Sequence, residues 1–68
     1  MATRDDYLGL TRLREWRTRR RLRQEELARM SGVSARTITR IETGLGGAMY
    51  ETQEALAKAL NIDNDDLV

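Results

Sequence analysis

The chain has 68 residues, with 12 Lys and Arg against 11 Asp and Glu, a net charge of +1, and no Cys, His, Pro or Phe. A length this short makes one domain of marginal stability, and the missing Cys and His exclude disulfide scaffolds, zinc sites, thiol nucleophiles and imidazole acid–base chemistry, so an enzyme is not expected. No more than three apolar residues are consecutive, so neither a membrane span nor a signal-peptide core can be drawn, and the expected location is the cytoplasm.

Residues 1–9 read as an N-terminal arm, because Thr3, Arg4, Asp5 and Asp6 show no apolar period. Residues 10–68 form the domain. Leu10, Leu13 and Trp16 step by three among Arg12, Arg14, Arg17, Arg19, Arg20 and Arg21, which predicts an amphipathic helix over roughly 10–20 with a basic outer face. A second, short helix is predicted over Gln24–Ser31. Glu25 and Glu26 suit its positive end, Leu27 and Ala28 supply its apolar stripe, and Gly32 closes it. Ser34 is a good N-cap for a third helix that carries Ile38 and Ile41 and stops at Gly44. The Gly-Leu-Gly-Gly-Ala stretch at 44–48 reads as a loop. Leu56, Ala57 and Leu60 then give a fourth helix over about 50–60, and Ile62 with Leu67 forms a last turn capped by Asp63 or Asn64.

The charge is polarised along this order. Residues 1–40 hold 11 Arg and 5 acidic residues, a balance of +6, whereas residues 41–68 hold one Lys and 6 acidic residues, a balance of −5. Arginine carries a planar fork of donors suited to phosphate oxygens and guanine edges. On the third helix, at 100° per residue with Arg36 at 0°, Thr39 lies at about 300°, Arg40 at about 40° and Thr43 at about 340°, while Ile38 and Ile41 lie at about 200° and 140°. One face is apolar and the opposite one presents Arg36, Thr39 and Arg40. A short helix of this kind, introduced by a tight turn after another short helix, has the width and chemistry to enter a DNA major groove.

The stretch Gln24-Glu25-Glu26-Leu27-Ala28, then Ser31-Gly32-Val33-Ser34, then Ile38-Thr39-Arg40-Ile41-Glu42-Thr43-Gly44 resembles the helix-turn-helix of the XRE family, the lambda-type phage repressor and Cro proteins. The resemblance implies an all-α, compact five-helix bundle whose third helix is the recognition helix. It implies base reading by Ser34, Ala35, Arg36, Thr39 and Arg40. Gln24 is implied as a phosphate clamp, joined in the phosphate-binding set by Arg19, Arg20, Arg21, Arg23, Thr37 and Thr43. Arg17 and Glu42 are implied as a structural ion pair. The chain departs from the family pattern at Arg21 and Arg23, where a glycine and a Ser or Thr cap are usual, and at Ala48, in a loop without Lys or Arg. These departures remove a cap hydroxyl and leave loop contacts to phosphate without a carrier.

The leading expectation is a small sequence-specific regulator of double-stranded DNA, a repressor that binds a palindromic operator as a homodimer, with no cofactor and no metal. Repression is the expected sign because a chain of this length has no room for an activation or ligand-sensing domain. Met30, Leu45, Met49 and Val68 exceed what one small core needs and are candidates for a dimer patch. The alternative is a protein-interaction module on the same fold, such as an antitoxin, whose acidic 51–66 segment or apolar loop docks on a toxin or on the transcription machinery.

Overall fold

The computed structural model describes residues 10–68, so the N-terminal arm at 1–9 lies outside the described residues. Those residues form four α-helices, α1 (Leu13–Arg19), α2 (Gln24–Ser31), α3 (Ala35–Glu42) and α4 (Tyr50–Leu60), followed by a 3₁₀ turn over Asn64–Leu67. The expected fifth helix is this single 3₁₀ turn, entered from Asp63 in an extended conformation.

The first helix is shorter than its apolar period suggests. The Arg12 N–H donates to the Leu67 carbonyl at 3.0 Å, and the Leu13 N–H to the Leu10 carbonyl at 3.1 Å. Leu10 is therefore buried from a turn, and α1 begins only at Leu13. This contact also joins the start of the domain to its last turn, as does the Trp16 indole Nε1–H, which donates to the Asp66 carbonyl at 2.8 Å.

Three helices end in the same way, with a left-handed residue just past the helix and two backbone hydrogen bonds folding back on the last turn. After α3 the residue is Gly44 (φ 76°) and after α4 it is Asn61 (φ 59°), both suited to that conformation. After α1 it is Arg21, at φ 57°, with Arg21 N–H donating to the Thr18 carbonyl and Leu22 N–H to the Arg17 carbonyl. A Cβ in the left-handed region costs about 1–2 kcal/mol. Arg23 opens α2 no better. Its backbone N–H is accepted by Glu26 Oε1 at 2.8 Å, but a guanidinium has no acceptor, and the first turn of α2 has no side-chain cap.

The core is aliphatic: Leu10, Leu13, Leu27, Ile38, Ile41, Ala48, Leu56, Ala57, Leu60 and Leu67 are buried, with Trp16, Leu22, Ala28, Val33, Ala59 and Ile62 packed around them. α2 packs on both α3 and α4, and α1 closes the bundle against α3. Gln53 is also buried. It occupies the position three before Leu56 on the inward stripe of α4, and its Nε2 donates to the Asn64 carbonyl at 3.0 Å.

Candidate nucleic-acid interface

The candidate surface is built on α3. Ser34 caps the helix, its Oγ accepting the Thr37 N–H at 3.1 Å, and its own proton goes to Thr37 Oγ1 at 2.9 Å. The hydroxyls of Ser34 and Thr37 are thus joined to each other at the helix start. Ile38 and Ile41 are buried, which turns Arg36, Thr39 and Arg40 outward, all three exposed. Ala35 is half-buried beside them. Among the described residues neither Arg36 nor Arg40 meets a carboxylate. The Arg40 guanidinium leans over the α3–α4 loop, close to Gly46, where an added Cβ would stand 3.7 Å from Nη2. Thr43 donates back to the Thr39 carbonyl at 2.8 Å and so closes the end of its own helix.

Behind this surface lies a polar network. Arg17 grips Glu42 with two parallel bonds, Nε to Oε2 at 2.6 Å and Nη2 to Oε1 at 2.9 Å, while Nη1 donates to the Leu22 carbonyl at 2.7 Å. One guanidinium therefore ties α1, the α1–α2 connection and the end of α3 together. The Glu42 side chain is only 2% exposed. Burial works against its ionisation, but hydrogen bonds from Arg17 and Gln24 and the charges of Arg17 and Arg14 outweigh it, so its pKa lies below the ordinary carboxylate value. Gln24 Nε2 donates to Glu42 Oε1 at 3.1 Å, and Gln24 Oε1 accepts from Thr39 Oγ1 at 2.9 Å. The first side chain of α2 is thereby joined to the outward face of α3.

Two short helices set by this network, the second presenting an exposed Arg-Thr-Arg face, are the geometry of a helix-turn-helix. Residues 10–68 match the helix-turn-helix domain family. The chain belongs to that family. Its fold is also that of the restriction-modification controller protein C.AhdI from Aeromonas hydrophila, with a TM-score of 0.80 and 36% sequence identity over 85% of this chain and 88% of that one. No curated protein sequence matches it. The protein is an XRE-type helix-turn-helix protein, a DNA-binding transcription regulator rather than an enzyme in both family and fold. Among the described residues no helix is long and apolar enough to cross a membrane.

The arginines of this helix-turn-helix protein divide into two groups. Arg19 pairs with Glu15 at 3.1 Å and Arg12 with the same carboxylate at 3.1 Å. Arg20 Nε donates to the Leu60 carbonyl at 2.9 Å, at the end of α4. All three guanidinium groups lie near the ring of Trp16, at 5.6 Å for Arg12, 5.0 Å for Arg19 and 5.4 Å for Arg20, within the range of cation–π attraction. They occupy the flank of α1 away from Glu42 and α3. The expectation that Arg19 and Arg20 touch phosphate therefore meets a structure in which both are engaged inside the molecule. Arg21 and Arg23, with Arg29, stand apart from that cluster and border a polar hollow at the start of α2 with Glu25 and Glu26.

Sequence reasoning did not anticipate the Arg12–Glu15–Arg19 grouping, although its spacing of three and four residues around Trp16 is the signal that would have found it. Nor did it foresee the Gln24–Thr39 link, for which one sequence carries no sign.

Proposed function

We propose that this regulator represses transcription by binding, as a homodimer, a palindromic operator in double-stranded DNA. The observation that carries the reading is the face of α3, where Arg36, Thr39 and Arg40 are exposed together opposite buried Ile38 and Ile41. Arg36 and Arg40 are the candidates for guanine O6 and N7, each bidentate contact being worth about 1–3 kcal/mol of discrimination. Ala35 offers a small apolar contact to a thymine methyl, and Ser34 stands at the same end of the helix.

Phosphate contacts come from Arg21, Arg23, Gln24 and Thr37, whereas the one hydroxyl proton of Thr43 is held by backbone carbonyls of its own helix. Gln24 uses one N–H on Glu42 and keeps the second for a phosphate. The first turn of α2, which has no side-chain cap, offers backbone N–H groups to the same phosphate. Arg19 and Arg20 are left out of this set because each has an intramolecular partner.

A single recognition helix reads only a few base pairs, and a two-fold dimer sets two of them about 34 Å apart on half-sites of one operator. Met30, Leu45, Met49, Tyr50 and Val68 are large apolar side chains left exposed, and they supply the candidates for the dimer contact. Bound over a promoter, such a dimer excludes the transcription machinery by occupation. Because the similar solved structure is a restriction-modification controller, the promoter of such a system is the first operator to test.

Selection of bound sequences from a random DNA pool tests the reading. The expected result is an inverted repeat whose half-sites contain guanine and whose centres are one turn of DNA apart. Recovery of unenriched sequence would overturn it.

A further inference from the structure

The hydrogen-bond chain behind α3 has a fixed direction, and that direction reaches the DNA-facing surface. The two oxygens of Glu42 can only accept, and both are held by Arg17. Gln24 must therefore turn its NH₂ toward Glu42, and its carbonyl oxygen is left facing Thr39. An amide flipped the other way would set oxygen against carboxylate. The only group that Gln24 Oε1 can take from Thr39 is the hydroxyl proton, and the bond is made at 2.9 Å. Thr39 has one such proton. Committed to Gln24, it does not serve DNA, and the exposed hydroxyl oxygen keeps only its accepting capacity.

We infer that Thr39 is a specificity-determining residue that accepts a hydrogen bond from an exocyclic amino group, selecting adenine or cytosine on the strand it faces, and that Gln24 sets this polarity as a positioning residue. In the major groove adenine N6 and cytosine N4 are donors, whereas guanine O6 and thymine O4 are acceptors that would meet the Thr39 oxygen unfavourably. The inference rests on the reading of α3 as the base-reading helix. It adds a polarity that neither a threonine alone nor the position of Thr39 on the helix dictates, since a hydroxyl whose proton is uncommitted can donate or accept.

Sequence selection with the wild-type chain and three variants separates this inference from the reading beneath it. The wild type should return one half-site position restricted to adenine or cytosine, with a preference of about 2- to 12-fold, the range of a single hydrogen bond. Thr39→Val should lose that preference while guanine positions stay enriched, and Thr39→Ser should keep it. Gln24→Ala, with folding checked by its thermal melt, should admit guanine or thymine at that position even though Thr39 is intact, alongside a uniform loss of affinity. Replacing the selected adenine by purine, which lacks the 6-amino group, should weaken wild-type binding about 2- to 12-fold and leave Thr39→Val binding unchanged. If no sequence is enriched, the base-reading function itself fails. Enrichment that is unchanged in Thr39→Val, that favours guanine or thymine at the Thr39 position, or that keeps its adenine or cytosine preference in Gln24→Ala would overturn this inference alone.

Discussion

Arginine serves two opposite purposes in this small domain. Around α1, Arg12, Arg19 and Arg20 crowd the Trp16 ring and hold Glu15 and the Leu60 carbonyl, and Arg17 holds Glu42. At α2 and α3, Arg21, Arg23, Arg36 and Arg40 meet no carboxylate among the described residues. The first group uses its charge inside the molecule. The second leaves its charge open for a polyanion, at a structural cost seen in the left-handed Arg21 and the uncapped start of α2. A charge balance of +6 over residues 1–40 is therefore not a measure of DNA affinity, because much of it is already answered by the fold.

The largest expected effect lies in the first group. Arg17→Ala or Glu42→Ala leaves one partner of a nearly buried pair unanswered, and the unfolding free energy from urea titration should fall by about 3–5 kcal/mol. In a 68-residue domain that is most of the stability. The same pair gives a pH dependence. Glu42 has a lower pKa folded than unfolded, so its contribution is complete above the unfolded carboxylate value of about 4.3 and is lost as pH falls through the folded value. Thermal melts should therefore drop on acidification in the wild type and respond less in Glu42→Gln. Glu15 is also shifted downward, chiefly by its hydrogen bond from Arg12, but it is exposed, so Glu15→Gln should change the acid profile far less.

Next in size come the open arginines of α3. Arg36→Ala and Arg40→Ala should each leave stability within about 0.5 kcal/mol of wild type. Each should remove about 1–3 kcal/mol of discrimination at one operator position, read by competition against single-base operator variants. A loss spread evenly over all sequences would move that arginine to the phosphate set.

Arg21→Gly changes stability far less than a loss at the Arg17–Glu42 pair, and in the opposite direction. Glycine relieves the left-handed backbone, so urea unfolding should report a gain of about 1 kcal/mol, while DNA binding should weaken for every sequence. A variant that is more stable and binds as well as wild type would remove Arg21 from the interface.

Much of this was legible in the sequence because it depends on local rules. Ser34 and Gly44 bracket α3, Gly32 ends α2, and the period of Ile38 and Ile41 decides which face of α3 is outward. What was not legible depends on partners far along the chain. The start of α1 is set by a carbonyl at Leu67, the direction of Arg20 by one at Leu60, and the buried amide of Gln53 by one at Asn64. Backbone carbonyls are the same in every residue, so no side-chain pattern announces them. Gln53 does lie on the inward period of α4, and the stripe of Leu56, Ala57 and Leu60 extended one turn back would have reached it.

The division of the arginines is tested most directly by the salt dependence of operator binding, measured by fluorescence anisotropy for the single variants Arg19→Ala, Arg20→Ala, Arg21→Ala and Arg23→Ala. Removing one arginine–phosphate pair lowers the steepness of log K against log salt by about one. The steepness should fall by about one for Arg21→Ala and for Arg23→Ala, and stay at the wild-type value for Arg19→Ala and Arg20→Ala. An equal fall in all four would contradict the account.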